Sequence, residues 1–256
     1  MEHALDPQTI AKSFSSIACT YDRWARPHSR MAQKLLSLLP DSADTILELG
    51  CGTGILTELL CAKYPAAHIT AIDIAPKMVE QCKKRCRHKN LSVELAVAEE
   101  FTAKHATDLI VSSNSFHWFY DKQAVARNIR CSLAPGGRFA LAISVKGFFQ
   151  ELYTIYESIT GGPPIHLWDE LECEKIFTAL KLPMEKTTFE SFQMEEIDPW
   201  NVLRSIKGTG TAPKGLSRPL SPREVKELVR AYNCRYKSQN GVSVTYNTFY
   251  GITEAL

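Results

Sequence analysis

Thr45-Ile46-Leu47-Glu48-Leu49-Gly50-Cys51-Gly52-Thr53-Gly54 runs directly into the apolar stretch Ile55-Leu56-Thr57-Glu58-Leu59-Leu60. A short apolar run that ends at glycines predicts a strand followed by a tight turn, because glycine adopts backbone conformations closed to other residues. The turn leads into a helix, so a ligand can approach bare backbone with the helix N-terminus close behind. The spacing is G-x-G-x-G preceded by an acidic residue, not the G-x-G-x-x-G of dinucleotide folds, and no G-x-x-x-x-G-K-[ST] phosphate loop occurs. The next apolar run, Ala67 to Ile72, ends at Asp73. A carboxylate there can accept both hydroxyls of a ribose diol.

Further runs continue the rhythm. Leu91 to Val97 follows a basic helix, Leu109-Ile110-Val111 follows Asp108, and Arg138 to Ser144 follows the turn Pro135-Gly136-Gly137. Helix-length stretches at 54–65, 76–87 and 121–132 separate them, with Pro76 just inside a helix start. Strands alternating with such helices predict an α/β fold with a parallel sheet covered on both faces. About 40 residues of helical pattern precede the core, including Asp22 to Leu39. After Ser144 the rhythm breaks. Residues 151–200 carry eleven acidic and three basic side chains, and residues 201–240 carry nine basic and two acidic. No linker separates two units, so the expectation is one domain over 1–256. It comprises a helical lid (1–40), a ligand-binding core (41–146), a cap with late core elements (147–240) and a closing strand (241–256), of which Val242 to Phe249 is strand.

Bulk composition excludes several classes. The 256 residues hold 30 Lys and Arg against 28 Asp and Glu, so net charge gives no footprint for nucleic acid. No apolar run reaches the ~18 residues of a membrane span, and the opening residues lack the apolar core of a signal peptide. A soluble cytoplasmic protein is expected. The eight cysteines are scattered, as reduced thiols would be. Cys82 and Cys86 have no second pair nearby, and Lys89 stands where a third ligand of a C-x3-C-x2-C site would be, so no metal is expected and both thiols are read as helix-surface groups.

The glycine motif, Asp73, Asp108-Leu109-Ile110-Val111 and Leu133-Ala134-Pro135-Gly136-Gly137 together resemble the class I S-adenosylmethionine-dependent methyltransferases. The resemblance implies a Rossmann-like, mostly parallel seven-stranded sheet of order 3-2-1-4-5-7-6 with the last strand antiparallel. It also implies that Glu48, Gly50, Gly52 and Gly54 line the methionine and sugar side of the cofactor, that Asp73 holds the ribose, and that Ile74 and Met78 flank the adenine, with Ser113 after the fourth strand also in the site. The G-D-x-E often found after the third strand is here Ala96-Val97-Ala98-Glu99. Glu99, or the backbone at Ala98, takes the place of the absent Asp.

The acceptor class follows from further motifs. The N-P-P-[YF] of amide and adenine N-methyltransferases is replaced by Ser112-Ser113-Asn114-Ser115-Phe116-His117-Trp118. This resembles the S-N-x-x-x-Q-W of the malonyl-acyl-carrier-protein O-methyltransferases of biotin synthesis, with His117 at the usual Gln. Ile10-Ala11-Lys12-Ser13-Phe14 with Ala18-Cys19-Thr20-Tyr21-Asp22, Leu203 to Gly210, and Val244-Thr245-Tyr246 with Phe249 and Gly251 resemble that family's entry, cap and closing segments. The resemblance implies methylation of the free carboxylate of a malonyl-phosphopantetheine carried by an acyl carrier protein, leaving S-adenosylhomocysteine. It places Tyr21 between cofactor and acceptor, with His117, Lys146, Lys207 and Tyr246 as further acceptor-side candidates. Arg223, Lys226 and Arg230, on a predicted helix whose apolar face is Val225, Leu228, Val229 and Tyr232, are candidates for carrier docking; the alternative is a solvated helix face. Two other readings stay open: a methyltransferase of a small free acid or ring hydroxyl, and a cofactor-binding protein without catalysis.

Overall fold

A computed structural model describes residues 6–162, 167–210 and 218–253, so Lys214 of the basic stretch lies outside the described residues. Thr45–Leu49 is β1, flanked in parallel by β2 (His68–Asp73) and β4 (Thr107–Ser113). β3 (Leu91–Leu95) lies outside β2, and β5 (Leu133–Ser144) extends the parallel set beyond β4. β7 (Val242–Thr253) runs antiparallel between β5 and β6 (Met184–Glu196). The seven-stranded order is β3-β2-β1-β4-β5-β7-β6, as expected. The chain order reverses between β1 and β4, and the carboxyl ends of strands at such a reversal form the natural ligand crevice.

Both sheet faces are covered, which is why Leu109, Ile110 and Val111 form an uninterrupted apolar run in β4. Leu109 and Val111 join a core with Met31 and Leu35 of α2 (Arg26–Leu38), Leu60 of α3 (Ile55–Lys63) and Ile155 of α6 (Gln150–Thr160). Ile110 points the other way, to Val125 and Ile129 of α5 (Lys122–Ser132) and Phe177 of α7 (Glu170–Ala179). Asp108 anchors this arrangement at the far edge, where one carboxylate oxygen accepts from Asp44 N, Thr45 N and Thr45 Oγ1 at 2.9–3.0 Å. α1 (Pro7–Ile17), α4 (Pro76–Arg85), α8 (Pro199–Gly208) and α9 (Pro222–Arg235) each carry proline in the first turn, where a missing N–H costs nothing.

Several boundaries differ from the sequence expectation. Tyr21–Arg23 is a separate 3-10 turn, so the helix expected from Asp22 begins only at Arg26, with Pro27 in its first turn. β7 continues to Thr253 because both of its edges are paired. β6 was not locatable from apolar runs. Its inward-facing positions include Glu190, which accepts from Arg30 Nη2 at 2.9 Å and from Tyr250 Oη at 3.0 Å. An inward charge on an edge strand hides the alternation that would announce it. The expectation of surface thiols at Cys82 and Cys86 is corrected: both are buried, because they pack under the glycine turn rather than outward from α4.

Candidate active site

The turn after β1 is held by backbone hydrogen bonds from β2. Gly50 N and Cys51 N both donate to Ile72 O at 2.9 Å. Gly50, Gly52 and Gly54 have φ of +76°, +55° and +88°, values that L side chains adopt only with strain. Asp73 closes the turn from the neighbouring strand: its two oxygens accept from Gly52 N at 2.9 Å and Ala75 N at 2.8 Å. Each oxygen keeps a lone pair for a further donor. Burial pushes the Asp73 carboxyl up to about 6, with the two backbone donors working in the opposite direction.

Above the turn lies an open-mouthed cavity of about 960 Å³, solvent at its mouth included. Its roof comes from the N-terminus. Phe14 of α1 meets Trp118 edge-on at 5.2 Å between ring centres, and α1 seats on α4 through Ala18, Ala75 and Met78. Asp22 ties the 3-10 turn down, accepting from Thr53 Oγ1 at 2.6 Å and from Arg85 Nη2 at 2.5 Å. Tyr21 is thereby fixed over the cavity, and burial among Asp22 and Asp73 holds its phenol protonated.

The sequence candidates divide into two groups. Tyr21, Glu48, Gly50, Gly52, Asp73, Ile74, Met78, Ala98, Glu99 and Ser113 all line this cavity. Glu48 is buried at its floor, accepts from Thr57 Oγ1 at 2.6 Å, and is pushed well up by desolvation. Glu99 is fixed by Tyr120 N at 2.8 Å, and Asn128 Nδ2 donates to the carbonyls of Ala98 and Glu99. The segment without the family's Asp is thus held rigidly in place.

The other candidates lie off the wall. A Cβ on Gly54 would sit 2.9 Å from Cys82 Sγ, so this glycine serves packing beneath the turn. Lys146 and Lys207 are exposed at their ends of β5 and α8. The cap segment around Lys207 instead meets the roof: Gly208 packs on Trp24, and Gly210 on Phe14 and Ile17. Tyr246 is fully buried among Phe148, Phe149 and Phe192. His117 is half-buried beside Trp118, and only the latter lines the cavity. Sequence reasoning missed His28, which is buried in α2 and also lines the cavity. Only its position seven residues beyond Tyr21 could have pointed to it.

Residues 46–137 match a family model described as a methyltransferase domain. A malonyl-[acyl-carrier protein] O-methyltransferase of Geobacter sulfurreducens is 31% identical over 97% of this chain and 98% of its own. One from Acetivibrio thermocellus is 30% identical over 96% and 93%. The chain belongs to this family. It is an S-adenosylmethionine-dependent O-methyltransferase. Among solved structures it is similar in fold to the YcgJ protein of Bacillus subtilis, with TM-score 0.62 at 15% identity over 88% of this chain and 98% of that one. The N-methyltransferase NodS of Bradyrhizobium japonicum, in complex with S-adenosyl-L-homocysteine, gives 0.52 at 16% over 96% and 98%.

The cavity fits the family's cofactor on its own terms. A Cβ at Gly52 would meet nothing within 4 Å, so the backbone is open to close approach. Glu48, Asp73 and Glu99 line the wall with no Lys or Arg among the described residues, which suits a molecule carrying a sulfonium and an ammonium. Among the described residues no cluster of His, Cys, Asp and Glu could hold a metal, and no helix is long and apolar enough to cross a membrane.

Replacing Asp73 with Ala should weaken S-adenosylhomocysteine binding by about tenfold or more, the worth of a charge-assisted hydrogen bond. In the native chain affinity should also fall as pH drops through about 6, where Asp73 takes up a proton and loses acceptor capacity. Calorimetric titration at pH 5 and 8 checks both; an unchanged dissociation constant in folded Asp73→Ala removes this carboxylate from the site.

Proposed function

We propose that this chain transfers the methyl group of S-adenosylmethionine to the free carboxylate of a malonyl thioester borne by an acyl carrier protein. The product would be the methyl ester that lets fatty-acid enzymes extend the chain towards pimeloyl in biotin synthesis. The observation that carries the reading is similarity over nearly the full length, cap included, to relatives bearing that name. The site of action is the cytoplasm, where such carriers reside.

When bound, S-adenosylmethionine supplies a methyl on a positively charged sulfur, open to in-line displacement by a carboxylate oxygen. The chain's own residues bind and orient. Asp73 receives the ribose diol on the lone pairs its backbone donors leave free. Ile74 and Met78 would flank the adenine, with Glu99 or the Ala98 backbone at its edge, and Ser113 would line the site at the end of β4. Glu48, Gly50 and Gly52 form the methionine side, and Tyr21 stands between methionine and acceptor. A malonyl carboxylate is already ionised at neutral pH, so no side chain need remove a proton. Catalysis then rests on alignment and on the partial exclusion of water by the roof of Phe14, Tyr21 and Trp118. A labelled-methyl assay on malonyl-carrier protein, malonyl-coenzyme A and free malonate, with base hydrolysis of the product, tests the reading. Transfer to the free acid alone would reject the carrier.

The carrier would dock on α9. Leu228 and Tyr232 face the core, and Arg223, Lys226 and Arg230 are exposed and without an ion-pair partner among the described residues. Carrier proteins are acidic, and such a patch speeds encounter in a salt-dependent way. Reversing Arg223, Lys226 and Arg230 to Glu should lower kcat/KM for malonyl-carrier protein about tenfold or more, and for malonyl-coenzyme A far less. Equal losses on both substrates would leave the patch as ordinary solvated surface.

A further inference from the structure

His28 is an imidazole inside the cavity wall, 6% exposed. Its ring stacks on Phe148 at 6.4 Å and on Tyr21 at 5.8 Å, and Phe148 in turn rests edge-on against the buried Tyr246. Two aromatic neighbours and the Tyr21 hydroxyl therefore hold the ring in place. Its Nδ1 lies 2.9 Å from Tyr21 Oη. Nε2 has no partner among the described residues and keeps access to the cavity that the ring lines.

The tautomer follows from counting protons. Burial lowers His28 to about 4, so at neutral pH it carries a single N–H. The Tyr21 hydroxyl keeps its proton and has no acceptor other than His28 Nδ1 among the described residues. Tyr21 therefore donates to Nδ1, and the imidazole proton sits on Nε2, pointing away from the tyrosine. The result is a neutral N–H donor held in a walled cavity and lacking an acceptor.

The ligand chemistry follows from what else the wall offers. Among the described lining residues there is no cation, while the hydroxyls of Ser115 and Thr53 already donate to Gly50 O and Asp22. We propose that His28 is a carboxylate-binding residue, its Nε2–H donating to a carboxylate that enters the Tyr21 end of the cavity, with Tyr21 fixing the tautomer. A neutral donor orients a carboxylate without neutralising it as a lysine would. Two carboxylates can arrive there: the methionyl carboxylate of the cofactor and, on the function proposed above, the malonyl carboxylate of the acceptor.

The test compares native protein with His28→Phe and His28→Gln, after thermal melts show that both are folded. Phe keeps the ring stack and removes both nitrogens. Gln loses the stack, but its carbonyl can accept from Tyr21 while its amide donates to the carboxylate. Calorimetry gives the dissociation constants of S-adenosylhomocysteine and of decarboxylated S-adenosylmethionine. Kinetics at saturating cofactor give KM for malonyl-carrier protein. The expected result is that His28→Phe raises one of the two carboxylate-dependent constants by about tenfold, and that His28→Gln recovers most of it. Weakened S-adenosylhomocysteine binding with unaffected decarboxylated cofactor assigns the methionyl carboxylate. A raised KM with unchanged cofactor binding assigns the acceptor. The cofactor titration does not depend on the acceptor, so native protein idle on malonyl-carrier protein rejects the substrate reading without touching that arm. Unchanged cofactor binding together with an unchanged KM, or with no malonyl turnover to read, overturns the proposal. So does a His28→Phe protein that performs better than His28→Gln, since that is the signature of stacking alone.

Discussion

Removal of residues 1–24 is expected to lower turnover at least about 100-fold while leaving the seven-stranded sheet folded. The removed segment contains α1 and the Tyr21–Arg23 turn. It contributes Ile10, Phe14 and Tyr21 to the cavity wall, and its own contacts stay at the rim of the site: Ala18 on Ala75 and Met78, Phe14 on Trp118, Trp24 on Gly208, and Asp22 bonded to Thr53 and Arg85. The two large cores do not use it: α2 begins at Arg26, and its Met31 and Leu35 remain packed on the sheet. Loss of Phe14 and Tyr21 opens the site to water, and misplacement of reacting groups by about an ångström costs on the order of 100-fold. Far-UV circular dichroism and a cooperative melt report the sheet, and the labelled-methyl assay reports turnover. A truncated protein with native turnover would show that the N-terminal roof takes no part in transfer.

How far the sequence carried this reading depends on where the information lies along the chain. The strands between Thr45 and Ser144 announce themselves because the apolar runs of β1, β4 and β5 are buried on both faces, while β1 and β2 end at a glycine and an aspartate. The turn beneath the cavity was legible as well: Gly50 and Gly52 hold φ values that few other residues permit, and the Asp73 carboxylate closes the turn by accepting from Gly52 N and Ala75 N. The late half was obscured by charge. Glu190 faces inward on β6 but is matched by Arg30 and Tyr250, partners distant in sequence. Among the acceptor-side candidates only Tyr21 lines the cavity wall. Lys207 and Tyr246 lie in matched segments, yet these segments serve packing, through Gly208 on Trp24 and Tyr246 under Phe148. His28 carried no motif, because its place in the wall depends on the 3-10 turn that folds Tyr21 back onto it.

The glycines themselves supply the sharpest separation of fold from function. Gly50→Ala should unfold the turn, whereas Gly52→Ala should leave it folded and unable to hold the cofactor. At Gly50 a Cβ would lie 2.4 Å from both Cβ and Oγ of Ser115. Ser115 cannot swing away freely, since its Oγ donates to Gly50 O at 2.9 Å. A left-handed alanine costs about 1–2 kcal/mol and overpacking a further ~1–3 kcal/mol. For a chain of this size that lowers Tm by roughly 5–15 °C. At Gly52 the φ of +55° carries the same backbone cost, but the added methyl meets nothing within 4 Å. That empty space belongs to the cavity wall. A methyl there displaces a ligand rather than a side chain, so Tm should fall by only about 2–8 °C while S-adenosylhomocysteine affinity drops about tenfold or more. Differential scanning calorimetry and titration of the two variants give four numbers. Native affinity in Gly52→Ala would mean that the cofactor does not pass over this turn, and the assignment of Gly52 to the methionine and sugar side would fall with it.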